Sequence, residues 1–241
     1  MKQLFIAIIA MASLTISAQN IQLHYDMRHT MNAGNEDRNF VTATYEMLKF
    51  DKLGSWFMFI DADFNQKKNN IGAIYTEISR SFSLGKCPVQ AHIEFNGGLF
   101  RTPDNFGNSI ENAYLVGAEY PFQLKGFNIT TYLAYKYNSF AKTSHDVQWT
   151  GVWDGNILDN KVTLSGFIDV WSENKMNFDK TEKLGGKKII LMTEPQIWYN
   201  LVPKKFSIGS EIEITRNFYP YPETEGRVYV YPTLAVKYTI E

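Results

Sequence analysis

The sequence predicts an all-β chain: a single transmembrane antiparallel up-and-down β-barrel of about 12 strands. Two-residue alternation of apolar and polar side chains recurs along the chain, in segments of about 9–11 residues, the span a tilted membrane strand needs. The links between segments alternate in length, and Tyr, Trp and Phe gather toward segment ends, as interfacial girdles require. Mean hydropathy is −0.27. Beyond the first residues no apolar run reaches the ~18 residues of a spanning helix, so a membrane form of this chain must be a barrel.

The first element is a leader over residues 1–18. Lys2 supplies the positive start, Leu4 to Leu14 the apolar stretch, and Ala18 a small residue for cleavage. The barrel then spans 19–241. The only cysteine is Cys87. No cysteine follows the cut and no internal disulfide can form, which disfavours a lipid-anchored lipoprotein.

Alternation starts at once. Ile21, Leu23, Tyr25 and Met27 oppose Gln22, His24, Asp26 and Arg28. Val41, Ala43, Tyr45 and Met47 oppose Thr42, Thr44 and Glu46, and Trp56, Met58, Ile60 and Ala62 oppose Phe57, Phe59, Asp61 and Asp63. Ile74, Ile78, Phe82 and Leu84 face away from Tyr75, Glu77, Ser79 and Ser81; Arg80 falls on the apolar side and is expected near an interface. Val89, Ala91, Ile93 and Phe95 oppose Gln90, His92, Glu94 and Asn96.

Tyr114, Val116, Ala118 and Tyr120 oppose Leu115, Gly117 and Glu119, a weaker pattern. A cleaner one follows, with Phe127, Ile129, Leu133 and Tyr135 against Asn128, Thr130, Tyr132, Lys136 and Asn138. Val147, Trp149 and Trp153 oppose Asp146, Gln148 and Thr150; Val162, Leu164, Ile168 and Val170 oppose Ser165, Phe167, Asp169 and Trp171. The last three segments set Ile197, Tyr199 and Leu201 against Glu194, Gln196 and Asn200, then Phe206, Ile208, Ile212 and Ile214 against Glu211, Glu213 and Thr215, then Val230, Leu234, Val236 and Tyr238 against Thr233, Lys237 and Thr239.

Odd-numbered links are the longer: 29–39, 65–70, 101–109, 139–145, 172–188 (the longest) and 216–226. Even-numbered links are mostly tighter: 51–54, 85–88, 121–126, 154–161 and 202–205. Both termini then belong to the short-turn rim, the periplasmic one in a barrel of this kind. A soluble β-sandwich or lipocalin-like barrel shares the alternation, but not the strand count or the alternating links.

The opening strand followed by Asn39-Phe40-Val41-Thr42-Ala43-Thr44-Tyr45-Glu46, the run Trp56 to Asp63, the stretch Tyr75 to Leu84 and the segment Leu164 to Trp171 together resemble the Tsx-like nucleoside-specific channel-forming proteins of the outer membrane. The resemblance implies a twelve-stranded barrel in the outer membrane of a Gram-negative bacterium, surrounded by its lipids, and nucleosides as cargo. The chain departs from the family in being somewhat short, with trimmed outer loops and no aromatic at its last position, Glu241.

A barrel of this size encloses a slot on the scale of one small solute, and its lining sets selectivity. The expected lining, and so the candidate binding set, is Asp26, Arg28, Glu46, Phe57, Phe59, Asp61, Asp63, Glu77, His92, Glu94, Tyr132, Lys136, Phe167, Asp169, Trp171, Glu194, Glu211 and Glu213. Bases stack on aromatic faces, ribose hydroxyls donate to carboxylates, and excess acid disfavours phosphate-bearing nucleotides. The alternative reading of the same residues is an ion network filling a closed barrel.

Other classes are expected to be absent. Lys plus Arg number 24 against 25 acidic residues, which gives no basic surface for nucleic acid. Scattered histidines and one cysteine give no metal spacing, and Asn96-Gly97-Gly98 and Leu184-Gly185-Gly186-Lys187 are no phosphate loop, so no cofactor is expected. A lipid-acyl enzyme needs a serine and a histidine together on the membrane face, and His24 and His92 read as lumenal, His29 and His145 as rim residues. The long link 172–188 leaves a surface-receptor role open. A monomer is compatible with all of this.

Overall fold

The structure, a computed structural model, describes residues 17–31, 38–102, 106–177, 181–219 and 225–240. The leader expected over 1–18 lies outside them except for Ser17 and Ala18, which open the first strand.

The strands are β1 (Ser17–Asp26), β2 (Phe40–Asp51), β3 (Gly54–Asp63), β4 (Ala73–Ser83), β5 (Gln90–Arg101), β6 (Gly107–Leu124), β7 (Phe127–Asn138), β8 (Ser144–Ile157), β9 (Val162–Met176), β10 (Lys183–Thr193), β11 (Gln196–Val202), β12 (Phe206–Arg216) and β13 (Val228–Ile240). Each pairs antiparallel with its sequence neighbour from β1 to β10, and β12 pairs with β13. Gln19↔Ile240 through Asp26↔Thr233 join β1 to β13, so the sheet closes and has no edge. The only helical elements among the described residues are single turns at Arg28–Met31 and Lys67–Asn69.

The segment expected as one strand over 191–201 is divided into β10 and β11, which occupy a single position between β9 and β12. The break falls at Glu194-Pro195, where proline has no N–H for the ladder. Register is kept across it: the Glu194 amide donates to Phe167 O (3.1 Å) and the Ile212 amide to Pro195 O (3.1 Å). Opposite the break, Gly166 has φ +148°, and a Cβ there would lie 2.5 Å from Glu194 O. The barrel therefore has 12 strand positions, as the periodicity predicts.

The links are shorter than expected. The stretch 172–188 is mostly strand: β9 runs to Met176 and β10 starts at Lys183, with Lys187↔Asn174 and Lys183↔Met176 paired. Polar residues on both faces hid this extension, because a hairpin standing clear of the bilayer has water on either side and no alternation. β6 likewise continues through Pro121, leaving Lys125-Gly126 as its turn into β7, and β8 continues to Ile157.

Parity decides what each side chain meets. Ile21, Leu23, Tyr25, Trp56, Ile60, Ile93, Tyr114, Val116, Leu133, Tyr135, Val147, Trp149, Ile197, Tyr199, Ile208, Leu234 and Tyr238 all point outward and are exposed. An apolar exterior on every wall is what hydrocarbon requires of a barrel and what water penalises. Gly117 allows a close backbone approach on the β6–β7 wall, where a Cβ would lie 2.2 Å from Leu133 O. Gly117→Val is expected to destabilise the barrel by about 1–3 kcal/mol, read as a lower urea midpoint; an unchanged midpoint would mean that this wall tolerates a wider spacing.

Candidate functional site

The expected lining residues on strands have the inward parity of those strands, Arg28 lies in the turn after β1 and Glu194 at the β10–β11 break, and burial divides them into a sealed half and a partly buried remainder. On the sealed side β5–β9 pack against each other's side chains. His92 is 2% exposed. Its Nδ1 lies 2.9 Å from Glu119 Oε2 and its Nε2 3.1 Å from Glu94 Oε2. Glu94 also accepts from Tyr132 Oη (2.7 Å) and Asn96 Nδ2 (3.0 Å), while the Tyr132 ring stacks on His92 at 4.1 Å.

Lys136 belongs to the same half. Its Nζ donates to Gln148 Oε1 (2.6 Å) and sits 4.4 Å over the buried Trp171 ring. Leu115, Ala113 and Ala134 close around Tyr132 as an apolar cluster. Apart from Asn96 Oδ1, which is buried without a partner, the network's side chains bond to one another and present little to a passing solute.

Ser81, His92 and Glu119 meet here in a combination that suggests nucleophilic chemistry, and the geometry argues otherwise. Ser81 Oγ donates to Glu119 Oε2 (2.6 Å), so its proton goes to the carboxylate rather than to His92. Both imidazole nitrogens already face carboxylates, and Ser81 is 3% exposed. No free base is left to activate the hydroxyl. The outward His145 is paired with Tyr135 Oη (2.5 Å), not with a serine.

The rest of the lumen, the slot, lies between two walls of partly buried residues. β2–β4 contribute Glu46, Phe57, Phe59, Asp61, Asp63, Tyr75 and Glu77; β9, β12 and the β10–β11 break contribute Phe167, Asp169, Glu194, Glu211 and Glu213. Glu194 is within electrostatic reach of Asp61, Asp169, Glu211 and Glu213, and Glu211 of Asp61 and Glu46, so carboxylates confront one another across the lumen. Phe57, Phe59 and Tyr75 form an aromatic row with ring centres 6.0 and 5.8 Å apart.

These carboxylates are held mainly by neutral donors. Thr42 donates to Asp63 (2.7 Å), Thr44 to Asp61 (2.5 Å), Asn20 to Glu46 (3.0 Å) and Gln196 to Glu211 (2.5 Å). Among the described residues no Lys or Arg forms an ion pair with Glu46, Asp61, Glu77, Asp169, Glu194 or Glu211. The lumenal cations are engaged elsewhere. Lys237 Nζ lies 4.0 Å over Trp198. Arg28, at the long-link rim, pairs with Asp26 (2.6 Å) and Glu213 (3.9 Å) between the rings of Phe40 and Tyr231. Carboxylates outnumber Lys and Arg on these two walls, so the charge they present to the lumen is predominantly acidic.

Outside the barrel wall, the Lys175 ammonium holds the Glu225 carboxyl below its usual range through a 2.5 Å hydrogen bond, tying the end of β9 to the link before β13. The candidate set missed Tyr75 in the slot and Trp198, His24 and Lys237 in the packed interior. Alternation places all four on the inner face, Trp198 between Gln196 and Asn200. What no periodicity gives is depth, meaning which inward residues are covered by others.

The sequence profile of the family described as Domain of unknown function (DUF5020) matches residues 18–240. A search among curated proteins returns no match. Among solved structures the chain is similar to the NanC porin, at 10% identity and a TM-score of 0.57, over 92% of this chain and 100% of that one. It is also similar to LpxR from Salmonella typhimurium (10% identity, TM-score 0.44, 92% and 99% covered) and to the outer membrane channel DcaP of Acinetobacter baumannii (7%, 0.42, 94% and 97%). The NanC likeness shows the fold, a closed antiparallel barrel of the outer-membrane type; at such identities nothing finer follows from it.

Proposed function

We propose a function for this chain, which belongs to the family of the Domain of unknown function (DUF5020): it is an outer-membrane channel for passive, weakly selective diffusion of small solutes. The observation that carries this reading is the group of partly buried carboxylates facing one another from β2–β4 and β9–β12, among which Glu46, Asp61 and Asp169 are held by neutral hydrogen-bond donors. Nucleosides are the cargo we favour. The row Phe57, Phe59 and Tyr75 offers faces for a base, and Asp61, Glu194 and Glu211 offer acceptors for ribose hydroxyls. The resemblance to Tsx-like channels supports the same cargo.

The sealed β5–β9 half favours a second reading, a closed structural barrel. Single-channel recording of the refolded mature protein separates the two. Small cation-preferring events, reduced by adenosine or thymidine, are the expected result; a folded protein silent at every salt concentration would leave only the structural role, and conductance indifferent to nucleosides would remove that cargo.

Orientation has its own check. Cys87 is exposed in the short turn between β4 and β5. In intact cells a membrane-impermeant maleimide is expected to leave it unlabelled until the outer membrane is permeabilised. Labelling of intact cells would put the short-turn rim outside.

A further inference from the structure

At the short-turn rim the basic residues form a pattern that the channel reading does not use. Each short turn carries an exposed lysine: Lys52 between β2 and β3, Lys86 between β4 and β5, Lys125 between β6 and β7, Lys161 between β8 and β9, and Lys204 with Lys205 between β11 and β12. Lys125 and Lys204 occupy left-handed turn positions, with φ 51° and 59°, which project their side chains from the turn. The acidic residues in these turns are Asp51 and Asp159, and Asp51 is already engaged by Arg80.

Arg80 breaks the alternation of β4. It stands on the outward face, level with Trp56 on β3, and yet it is 3% exposed. Its guanidinium lies 5.0 Å over the Trp56 ring and 5.0 Å over the Phe82 ring. Nη2 donates to Asp51 Oδ1 at 2.7 Å, while Nη1 is buried with no hydrogen-bond partner. Lys49, also outward and exposed, is the register partner of Trp56 on the other side.

A cation on a lipid-facing wall is costly unless it reaches the headgroup layer and finds an anion there. The orphaned Nη1 is a donor awaiting an acceptor, and the planar fork of arginine matches phosphate oxygens. Trp56, 41% exposed, is the cover that must shift for a headgroup to reach it.

We infer that the short-turn rim is a docking ring for anionic glycerophospholipids, in which Arg80, clamped between Trp56 and Phe82 and flanked by Lys49, binds one lipid phosphate directly. The lysines of the turns act at longer range, each contributing about a fivefold preference for an anionic surface. The site rests on the barrel lying in a bilayer and is independent of whether it conducts.

The test uses the full mature chain reconstituted in phosphatidylcholine vesicles with and without phosphatidylglycerol, followed by extraction and native mass spectrometry of the lipid retained. Wild type is expected to retain phosphatidylglycerol in preference to phosphatidylcholine. Arg80→Ala should lose most of that preference. Lys52→Gln and Lys86→Gln, in exposed turns where folding is not at stake, should each lower it about fivefold. Equal retention of the two lipids by wild type overturns the proposal, as does displacement of the lipid by inorganic phosphate, which would make the site one for the free anion. Failure to insert into either vesicle would count against the membrane placement itself, whereas insertion without lipid preference counts against this site alone.

Discussion

Replacing Glu94 by alanine is expected to destabilise the barrel more than any other single truncation in the lumen. The carboxylate is 5% exposed and meets Tyr132 Oη, Asn96 Nδ2 and His92 Nε2 at once. Its removal leaves those groups facing a void that is too crowded to rehydrate freely, because Tyr132 and Leu115 close the space beside it. Breaking a buried charged network from one side costs about 3–5 kcal/mol, far more than losing an ion pair that solvent screens. Urea titration of the folded protein in detergent should show the midpoint falling sharply, while Glu94→Gln, which keeps an acceptor for Tyr132, recovers part of the loss. A Glu94→Ala midpoint equal to wild type would mean that the sealed half is open to water.

Reversing charge in the slot should change what passes rather than whether the barrel folds. Asp61 and Glu194 stand on opposite walls within electrostatic reach of each other. A unit charge about 6 Å from a passing ion contributes about 0.7 kcal/mol even at the dielectric of water. Asp61→Lys combined with Glu194→Lys changes each site by two units, so the ratio of cation to anion permeability should fall roughly tenfold or more. Reversal potentials under a KCl gradient read this directly. Unchanged selectivity, with the double variant folded, would show that ions do not pass between these walls.

Both predictions depend on a distinction between inward positions that the sequence does not contain. Glu94 and Asp61 occupy equivalent places in their patterns, Ile93-Glu94-Phe95 and Ile60-Asp61-Ala62. One is sealed beneath Tyr132 and the other opens on the slot. The difference comes from strands far away in sequence: β6 and β7 bring Leu115 and Tyr132 over the β5 wall, whereas β2–β4 face the carboxylates near the broken β10–β11 position.

What the sequence by itself determined is local. A residue's parity in a strand is set by its immediate neighbours, since a slip of one position would turn Ile21, Leu23 and Tyr25 inward and bury Gln22, His24 and Asp26 against lipid. Strand number, the inner and outer faces and the short-turn rim therefore follow from alternation and turn residues alone, as does the misfit of Arg80. Tertiary structure decided the rest. The pairing of β1 with β13, the continuation of β9 and β10 beyond the apolar band, and the division of the lumen into a packed half and an acid-lined slot all arise from contacts between residues distant along the chain. Two-residue periodicity carries no information about depth or about the opposite wall, and those are what give a barrel its lumen.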